Sequence, residues 1–277
     1  MDDHDAHFSD WIGSLETRHL EDFTFPEVAR ALRALSSTYV ERRRTLAAGA
    51  ALASAGKRAA FALFYGPLHH LLIAHLVRRL PGATAVGPML IDLGCGTGAS
   101  SAAWARACDR SPRVVGIDCN AWALGEADAT YRSFGLAART RKADIATALT
   151  AARRGRTPFS EHPAEWGTAP LRPEPGAILA AFTLNELRDP AREALLPQLL
   201  DRARHGDAVL VVEPIAGGAA RWWDRWRREF ERAGGRGDEW RFRAELPEIV
   251  AKLDRAAGLD HREITGRSLW VGGSVRS

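Results

Sequence analysis

The stretch from Met89 to Gly98, with the sequence MLIDLGCGTG, determines how the rest of the chain is interpreted. Its first five residues are apolar except for Asp92, and glycine then recurs at 94, 96 and 98. A short apolar run that ends in glycines is typical of a buried parallel strand leading into a tight turn. Since the following residues, 99–107, have the pattern of a helix, the turn is predicted to lie at a helix N-terminus. Glycines there let a ligand approach the backbone without a Cβ in the way.

The spacing of these glycines differs from that of a dinucleotide-binding turn. The dinucleotide fingerprint is G-x-G-x-x-G, whereas this chain has D-L-G-x-G-x-G with Asp92 two residues before the first glycine. A carboxylate at that place repels a pyrophosphate and attracts a cationic group. The stretch closely resembles the first motif of class I S-adenosylmethionine-dependent methyltransferases, in which the glycine loop passes under the amino-acid end of the cofactor. The resemblance implies S-adenosyl-L-methionine as the cofactor.

From residue 89 onward the pattern alternates between strands and helices, which is typical of a doubly wound parallel sheet. The resemblance adds an antiparallel last strand, so the fold class is expected to be an α/β, Rossmann-like methyltransferase sheet. The predicted strands cover 89–93, 113–118, 137–142, 177–183 and 208–213, followed by two adjacent strands at 261–265 and 268–272.

The N-terminal part, 1–86, is predicted to be an arm followed by a helical cap. Residues 1–22 are expected to be loosely held. A helix then begins at Thr24, because Glu27 follows at the spacing of a capping box. Helical structure is expected to break at Gly66-Pro67.

Residues 87–277 are predicted to form the S-adenosylmethionine-binding methyltransferase domain. A proline-rich stretch at 153–177 predicts a long loop inside it, and loops of that length tend to be functional. A helical insertion is predicted at 216–245, with a tryptophan-rich helix at 219–233.

Ligands of doubly wound sheets bind beyond the carboxyl ends of the strands. Asp92, Asp118 and Asp144 are spaced 26 residues apart, about one strand–helix–strand unit, which predicts that they share that edge. An acid that closes the second strand is suited to accept hydrogen bonds from ribose hydroxyls. The resemblance assigns that role to Asp118 and contact with adenine to Asp144 and Ile145. The predicted cofactor-binding residues are Asp92, Gly94, Cys95, Gly96, Gly98, Asp118, Cys119, Asp144, Ile145, Phe182 and, as a lid residue of the cap, Tyr65.

The end of the fourth strand, AAFTLNEL at 180–187, is where substrate-side residues are expected. It lacks the Asn-Pro-Pro-Tyr signature of amino-group DNA methyltransferases, and it has no cysteine for covalent pyrimidine chemistry. Glu186 and Glu213 are candidate proton acceptors, and the alternative for each is a helix cap or a structural acid. The candidate substrate-binding residues are Thr183, Asn185, Trp222, Trp223 and Trp226.

The three tryptophans of that helix have a second interpretation as core residues, with the arginines of the helix in solvent. Helical spacing predicts that Trp222 and Trp226, one turn apart, behave alike and that Trp223 differs.

The composition fits a globular protein of ordinary polarity, with 46% hydrophobic and 26% charged residues. The polar, acidic N-terminus does not resemble a signal peptide, and the three cysteines have neither paired nor metal-binding spacing. We therefore expect a cytoplasmic protein with no metal site and no membrane partner. A net charge of +4 permits an RNA partner without requiring one.

The predicted activity is methyl transfer to an unidentified small or medium-sized acceptor. The alternatives are an rRNA methyltransferase and a cofactor-binding ribosome-assembly protein. The segments LNEL at 184–187 and VEP at 212–214 resemble the methyltransferase-like assembly proteins of the mitochondrial small ribosomal subunit and their bacterial relatives. The chain lacks the cysteine cluster of those mitochondrial proteins, so a metal centre is not implied. The acceptor atom and the oligomeric state stay open.

Overall fold

The computed structural model describes residues 3–41, 52–145, 175–215, 221–259, 261 and 263–273. Within them, seven strands form one sheet in the order β3-β2-β1-β4-β5-β7-β6. The first five strands pair in parallel, and β7 is antiparallel to both β5 and β6. The predicted doubly wound sheet with an antiparallel last strand is thus confirmed. The strands are β1 Met89–Leu93, β2 Arg113–Asp118, β3 Ala138–Lys142, β4 Ala177–Ala181, β5 Ala208–Glu213, β6 Arg236–Phe242 and β7 Ile264–Val271.

Helices cover both faces of the sheet, which is why every residue of β4 and β5 is buried. The cap helices, α5, α6 and α9 pack on one face, around a cluster that includes Trp11, Leu63 and Leu253. On the other face α7 and α8 contribute Leu199 and Trp226 to a second cluster. The helices are α1 Asp3–His19, α2 Phe25–Glu41, α3 Ala55–Ala60, α4 Gly66–Val77, α5 Ala99–Ala107, α6 Ala121–Ser133, α7 Asp189–Arg204, α8 Arg221–Arg232 and α9 Glu248–Ala257.

The expectation of a loose arm at 1–22 is wrong, because α1 is docked on the domain. Trp11 and Leu15 are buried, and the Trp11 indole Nε1–H donates to the Thr130 hydroxyl at 3.2 Å. The Arg18 guanidinium also meets both carboxylate oxygens of Glu126 on α6 at 2.8 Å. One buried tryptophan and one buried leucine hold this helix through packing that local polarity does not reveal.

The helical cap has the predicted start but no break at Gly66-Pro67. The Glu27 carboxylate accepts hydrogen bonds from the Thr24 backbone N–H at 2.8 Å and from its hydroxyl at 2.7 Å. Residues Phe61–Tyr65 form a π-helical turn that joins α3 to α4 directly. Pro67 thus lies inside a continuous helical run, directly after the π-helical turn, and the run passes through it without a break.

The helical run Ala55–Val77 is long and apolar enough to span a membrane by length and composition alone. In this structure, however, 72% of its most apolar window is buried against the rest of the protein. It is therefore a core helix of the cap and domain together.

Two expectations for the C-terminal part need correction. A single strand, β7, replaces the two predicted at 261–265 and 268–272. It runs through Gly266, where the absence of a side chain makes room for Leu72, since a Cβ would come within 2.6 Å of it. The predicted helical insertion at 216–245 is helical only as α8, since 236–242 form the edge strand β6. Because β6 is rich in charged residues, its sequence does not reveal the alternation of more and less exposed positions that is typical of a strand. The predicted loop at 153–177 lies almost wholly outside the described residues, as do 216–220.

Candidate functional site

The glycine loop after β1 is tied to the neighbouring strand by its backbone. The N–H groups of Gly94 and Cys95 donate to the carbonyl of Ile117 at 2.7 and 3.0 Å. A Cβ on Gly94 would lie 2.4 Å from the Thr183 side chain, and one on Gly98 would lie 2.9 Å from Tyr131. A Cβ on Gly96 would meet no atom within 4 Å. Gly96 is therefore the loop glycine that borders open space.

Asp118 closes β2 and fixes the loop from the side. One of its carboxylate oxygens accepts the Gly96 N–H at 3.0 Å, and the other accepts the Asn120 N–H at 2.8 Å. The Asn120 side chain in turn caps α6 by accepting the Trp122 N–H at 3.0 Å. Each carboxylate oxygen keeps further acceptor capacity, and the residue is only partly buried. Asp118 can thus accept a ligand hydroxyl beside Gly96.

Asp92 and Cys95, both predicted to bind the cofactor, place their side chains beneath the loop. Asp92 is 1% exposed, and burial raises the pKa of its carboxyl to about 7, against the opposing effect of a hydrogen bond from Ser101. Cys95 is buried next to Tyr131, whose hydroxyl lies 2.9 Å from the Ser101 Oγ. The strand β1 is covered on both faces, which encloses Asp92, and Cys95 is buried in the loop that follows. Their support of the loop replaces the expected direct contact.

The segment after β4 turns sharply at Phe182. Its φ of +60° is the one left-handed value among the described residues other than glycine, a conformation that costs a bulky residue about 1–2 kcal/mol. The Phe182 N–H donates to the Val212 carbonyl at 2.7 Å. The Thr183 hydroxyl then donates to the Gly94 carbonyl at 3.2 Å, or to that of Ala181 at 3.0 Å. The turn thereby binds the end of β4 to the glycine loop.

Glu213, a predicted proton acceptor, is fully buried at the end of β5. Its carboxylate accepts the backbone N–H groups of Leu184 at 2.7 Å and Asn185 at 3.2 Å, and the Asn185 side-chain amide at 2.5 Å. The structure therefore argues against proton transfer by Glu213. It holds the segment after β4, and it also occupies the amide of Asn185, which was predicted to contact substrate.

Glu186, the other predicted acceptor, stands at the open edge. The residue is exposed as a whole, while protein atoms around the carboxyl remove part of its hydration. That burial, with the negative charge of Asp118 second, raises the pKa of Glu186 to about 7. Burial followed by the charges of Asp118, Glu186 and Asp144 also raises the pKa of the nearby Cys119 thiol. The carboxyl edge thus brings together the predicted residues Asp118, Cys119, Asp144 and Glu186, and its field is negative.

The remaining predicted residues divide between core and edge. Ile145 is buried in the same apolar cluster as Leu195 and Val211, which leaves little of its side chain for a ring. Trp223 and Trp226 are also core residues, so their interpretation as pocket residues is wrong. Trp222 alone of the three is half-exposed.

Trp222 lies between two guanidinium groups at the end of β5. The guanidinium carbon of Arg192 is 4.8 Å from its ring centre, and that of Arg267 is 6.0 Å away. Trp222, at the border of the buried face of α8, therefore lies near the carboxyl end of β5.

The cap brings to this edge Tyr65, the predicted lid residue, and also His69, which the sequence analysis did not single out. Tyr65 lies in the π-helical turn, a feature that often marks functional sites. The His69 ring stacks on Phe182 with 3.7 Å between centroids and 13° between planes. Its spacing of four residues from Tyr65 was a signal that both share one helix face.

The residues at this edge fit a cationic ligand that carries a ribose. Gly96 offers exposed backbone beside open space, Asp118 offers carboxylate lone pairs, and the surrounding acids favour positive charge. Residues 90–157, which include this loop and the acids at 92, 118 and 144, match the family described as "Methyltransferase domain". The chain is an S-adenosylmethionine-dependent methyltransferase. A search of the curated proteins found no match for it.

The methyltransferase is similar to solved structures in fold. An O-methyltransferase family protein from Burkholderia thailandensis is 15% identical with a TM-score of 0.51, and the alignment covers 90% of this chain and 72% of that one. The O-methyltransferase TomG from Streptomyces achromogenes, solved in complex with SAM and involved in tomaymycin synthesis, is 16% identical over 88% of this chain and 90% of its own, with a TM-score of 0.43. At such identities the likeness concerns the fold alone.

Proposed function

We propose that this methyltransferase acts on a small or medium-sized acceptor that binds between α4 of the cap and the ends of β4 and β5. The observation that carries the proposal is the composition of this edge. Tyr65, His69 and Phe182 supply aromatic surface on the cap side, while Asp118 and Glu186 supply negative charge on the sheet side. An apolar wall with a few polar groups is typical of sites for small molecules.

The cofactor is proposed to lie against Gly96 and Asp118. The Asp118 carboxylate would accept the ribose hydroxyls while it continues to hold the loop. Asp144, at the end of β3, would face the adenine. Bound S-adenosylmethionine supplies a methyl group on a positively charged sulfonium, so transfer depends mainly on alignment of the acceptor.

The chain's own contribution to the reaction is positioning and the removal of a proton where the acceptor carries one. Glu186 is the proposed proton acceptor, because its carboxylate is accessible and its pKa of about 7 suits proton transfer near neutral pH. Glu213 and Asn185 keep the segment that carries Glu186 in place. Thr183 holds that segment to the glycine loop.

The negative edge favours a small acceptor over RNA, whose phosphates it would repel. The arginines of α8 give RNA little additional support, because three of them are paired with carboxylates. Arg225 meets Glu193 at 2.6 Å, Arg227 meets Glu231 at 2.8 Å, and Arg232 meets Glu229. The rRNA methyltransferase and ribosome-assembly alternatives are therefore second choices. A cytoplasmic location is part of the proposal, supported by three cysteines that are all free.

The first experiment is a methyl-transfer assay with S-adenosylmethionine labelled on the methyl group. Total RNA, total protein and a filtered metabolite extract serve as separate acceptors, and the Gly96→Ala variant serves as the inactive control. We expect label to enter the metabolite fraction only. Label in RNA would favour the rRNA methyltransferase. Cofactor binding without label in any fraction would favour the assembly protein.

A further inference from the structure

An aromatic wall lines the cap side of the carboxyl edge. It consists of the rings of Phe61, Tyr65, His69 and Phe182, all of which are half-buried. Successive centroids lie 5.7 Å apart for Phe61 and Tyr65, 6.2 Å for Tyr65 and His69, and 3.7 Å for His69 and Phe182. The four rings thus form a continuous surface from the cap helix to the end of β4.

The helix geometry explains why three of these rings face the same way. Phe61 and Tyr65 lie four residues apart in the π-helical turn, with 5.7 Å between their ring centroids. Tyr65 and His69 then follow at the four-residue spacing of an α-helical face. The fourth ring, Phe182, reaches the wall through its left-handed backbone, and such outliers concentrate at functional sites.

The wall borders the glycine loop. A Cβ on Gly66, next to Tyr65, would lie 3.5 Å from the Thr97 hydroxyl of that loop. Thr183, next to Phe182, is hydrogen-bonded to Gly94. The wall therefore comes close to the glycine loop beside Tyr65 and beside Phe182. The resemblance implies that this loop passes under the amino-acid end of the cofactor, where the sulfonium also lies.

His69 differs from the two other histidines of α4. His70 is enclosed by Phe8, Trp11 and Phe134, and His75 stacks on Phe242 at 3.6 Å. The His69 ring faces Phe182 instead, and its nitrogens have no hydrogen-bond partner within the described ranges. Burial lowers its pKa to about 3, so the imidazole is neutral at physiological pH.

We propose that His69 is a positioning residue of the methyl-donor site. Its neutral ring completes an aromatic wall that selects the charged sulfonium of the cofactor over the uncharged demethylated product. The faces of aromatic rings attract cations, whereas a cation placed in this wall would repel the sulfonium. The inference rests on the proposed position of the cofactor.

The test compares binding of S-adenosylmethionine with binding of S-adenosylhomocysteine, which lacks the positive charge at sulfur. Calorimetry is performed on the full chain and on His69→Lys, His69→Phe and His69→Gln. We expect His69→Lys to lower affinity for the methylated cofactor at least about 10-fold more than affinity for the product. His69→Phe, a neutral ring, should keep the ratio of the wild type. Ala53→Lys adds the same charge at an exposed position before α3 and should also leave the ratio unchanged.

An unchanged ratio in a folded His69→Lys variant would overturn the inference. If that variant does not fold, nitrogen NMR of the histidine rings gives the answer, with the His69 signal assigned by its loss in His69→Gln. Exchange of the product for S-adenosylmethionine should then shift the His69 resonances, and equal spectra would reject the proposal. Wild-type protein that binds neither molecule, or an Asp118→Ala variant that binds both normally, would instead refute the proposed cofactor position.

Discussion

The carboxylate of Glu213 holds the side-chain amide of Asn185, with 2.5 Å between Oε2 and Nδ2. This contact joins the end of β5 to the segment after β4, and two backbone N–H groups of that segment share the same carboxylate. Glu213, which the sequence suggested as a base, is thus a structural hydrogen-bond acceptor. Of the two predicted bases, Glu186 is the accessible one.

Glu213→Ala should lower the free energy of unfolding, because it leaves buried donors without an acceptor, a loss of about 1–3 kcal/mol. Glu186→Ala, at an exposed position in the same segment, should change stability by less than about 0.5 kcal/mol while it reduces methyl transfer to any acceptor that must lose a proton. Urea denaturation compares the two variants. Equal losses of stability would contradict the division of roles.

The two glycine positions 96 and 98 should respond differently to alanine. Gly96→Ala places its Cβ in open space, and its left-handed backbone (φ +52°) costs about 1–2 kcal/mol for a residue other than glycine. The variant should keep the fold and block the ligand, so that S-adenosylhomocysteine no longer binds. Gly98→Ala forces a Cβ to within 2.9 Å of Tyr131 and 3.0 Å of the Ala127 backbone, and overpacking of this kind costs about 1–3 kcal/mol. Thermal unfolding and calorimetry separate the outcomes. A Gly96→Ala variant that binds normally would show that the loop is only structural.

Asp118→Ala should weaken binding of S-adenosylhomocysteine by about 1–3 kcal/mol, since ligand hydroxyls and the Gly96 N–H lose their acceptor. The matched control is Asp128→Ala on α6. It removes the acceptor of the Thr140 hydroxyl and a negative charge that acts on Cys95, so it controls for the loss of a carboxylate near the loop. Calorimetry at fixed salt measures both. The same affinity for the two variants would exclude Asp118 from the site.

Asp92 should make stability depend on pH. Its pKa is about 7 in the folded protein against 3.8 in the unfolded chain, so between these values the folded state binds more protons. The stabilisation from the protonated carboxyl is complete below pH 4 and is lost as the pH rises through 7. Asp92→Asn, which cannot ionise, should therefore gain at least about 1 kcal/mol over the wild type at pH 8 compared with pH 5. Urea denaturation at both pH values tests this, and parallel losses in the two proteins would show that another group is responsible.

The tryptophans of α8 should divide by burial. Trp226 has no exposed surface, and Trp226→Ala should cost about 3–5 kcal/mol. Trp223 is also buried and should behave in the same way, whereas Trp222→Ala should cost about 1 kcal/mol or less and alter acceptor binding instead. Helical spacing alone paired Trp222 with Trp226. A large loss of stability for Trp222→Ala would show that Trp222 is a core residue as well.

Patterns with a strong local cause could be predicted from the sequence alone. The apolar run at 89–93, the glycines after it and the acids at 92, 118 and 144 determined the parallel strands, the order of the elements and the type of cofactor, because each depends on chemistry within a few residues. The capping box at Thr24 and Glu27 was likewise readable, since its partners are three residues apart.

Tertiary structure decided which of these residues face the site and which support it. Asp92 and Glu213 carry the same group as Asp118 and Glu186, but helices on both faces of the sheet enclose the first two and leave the others at its open edge. The contact of His69 with Phe182 joins α4 to a left-handed residue more than a hundred positions away. No local pattern encodes that contact, because it arises only when the cap packs against the carboxyl edge of the sheet.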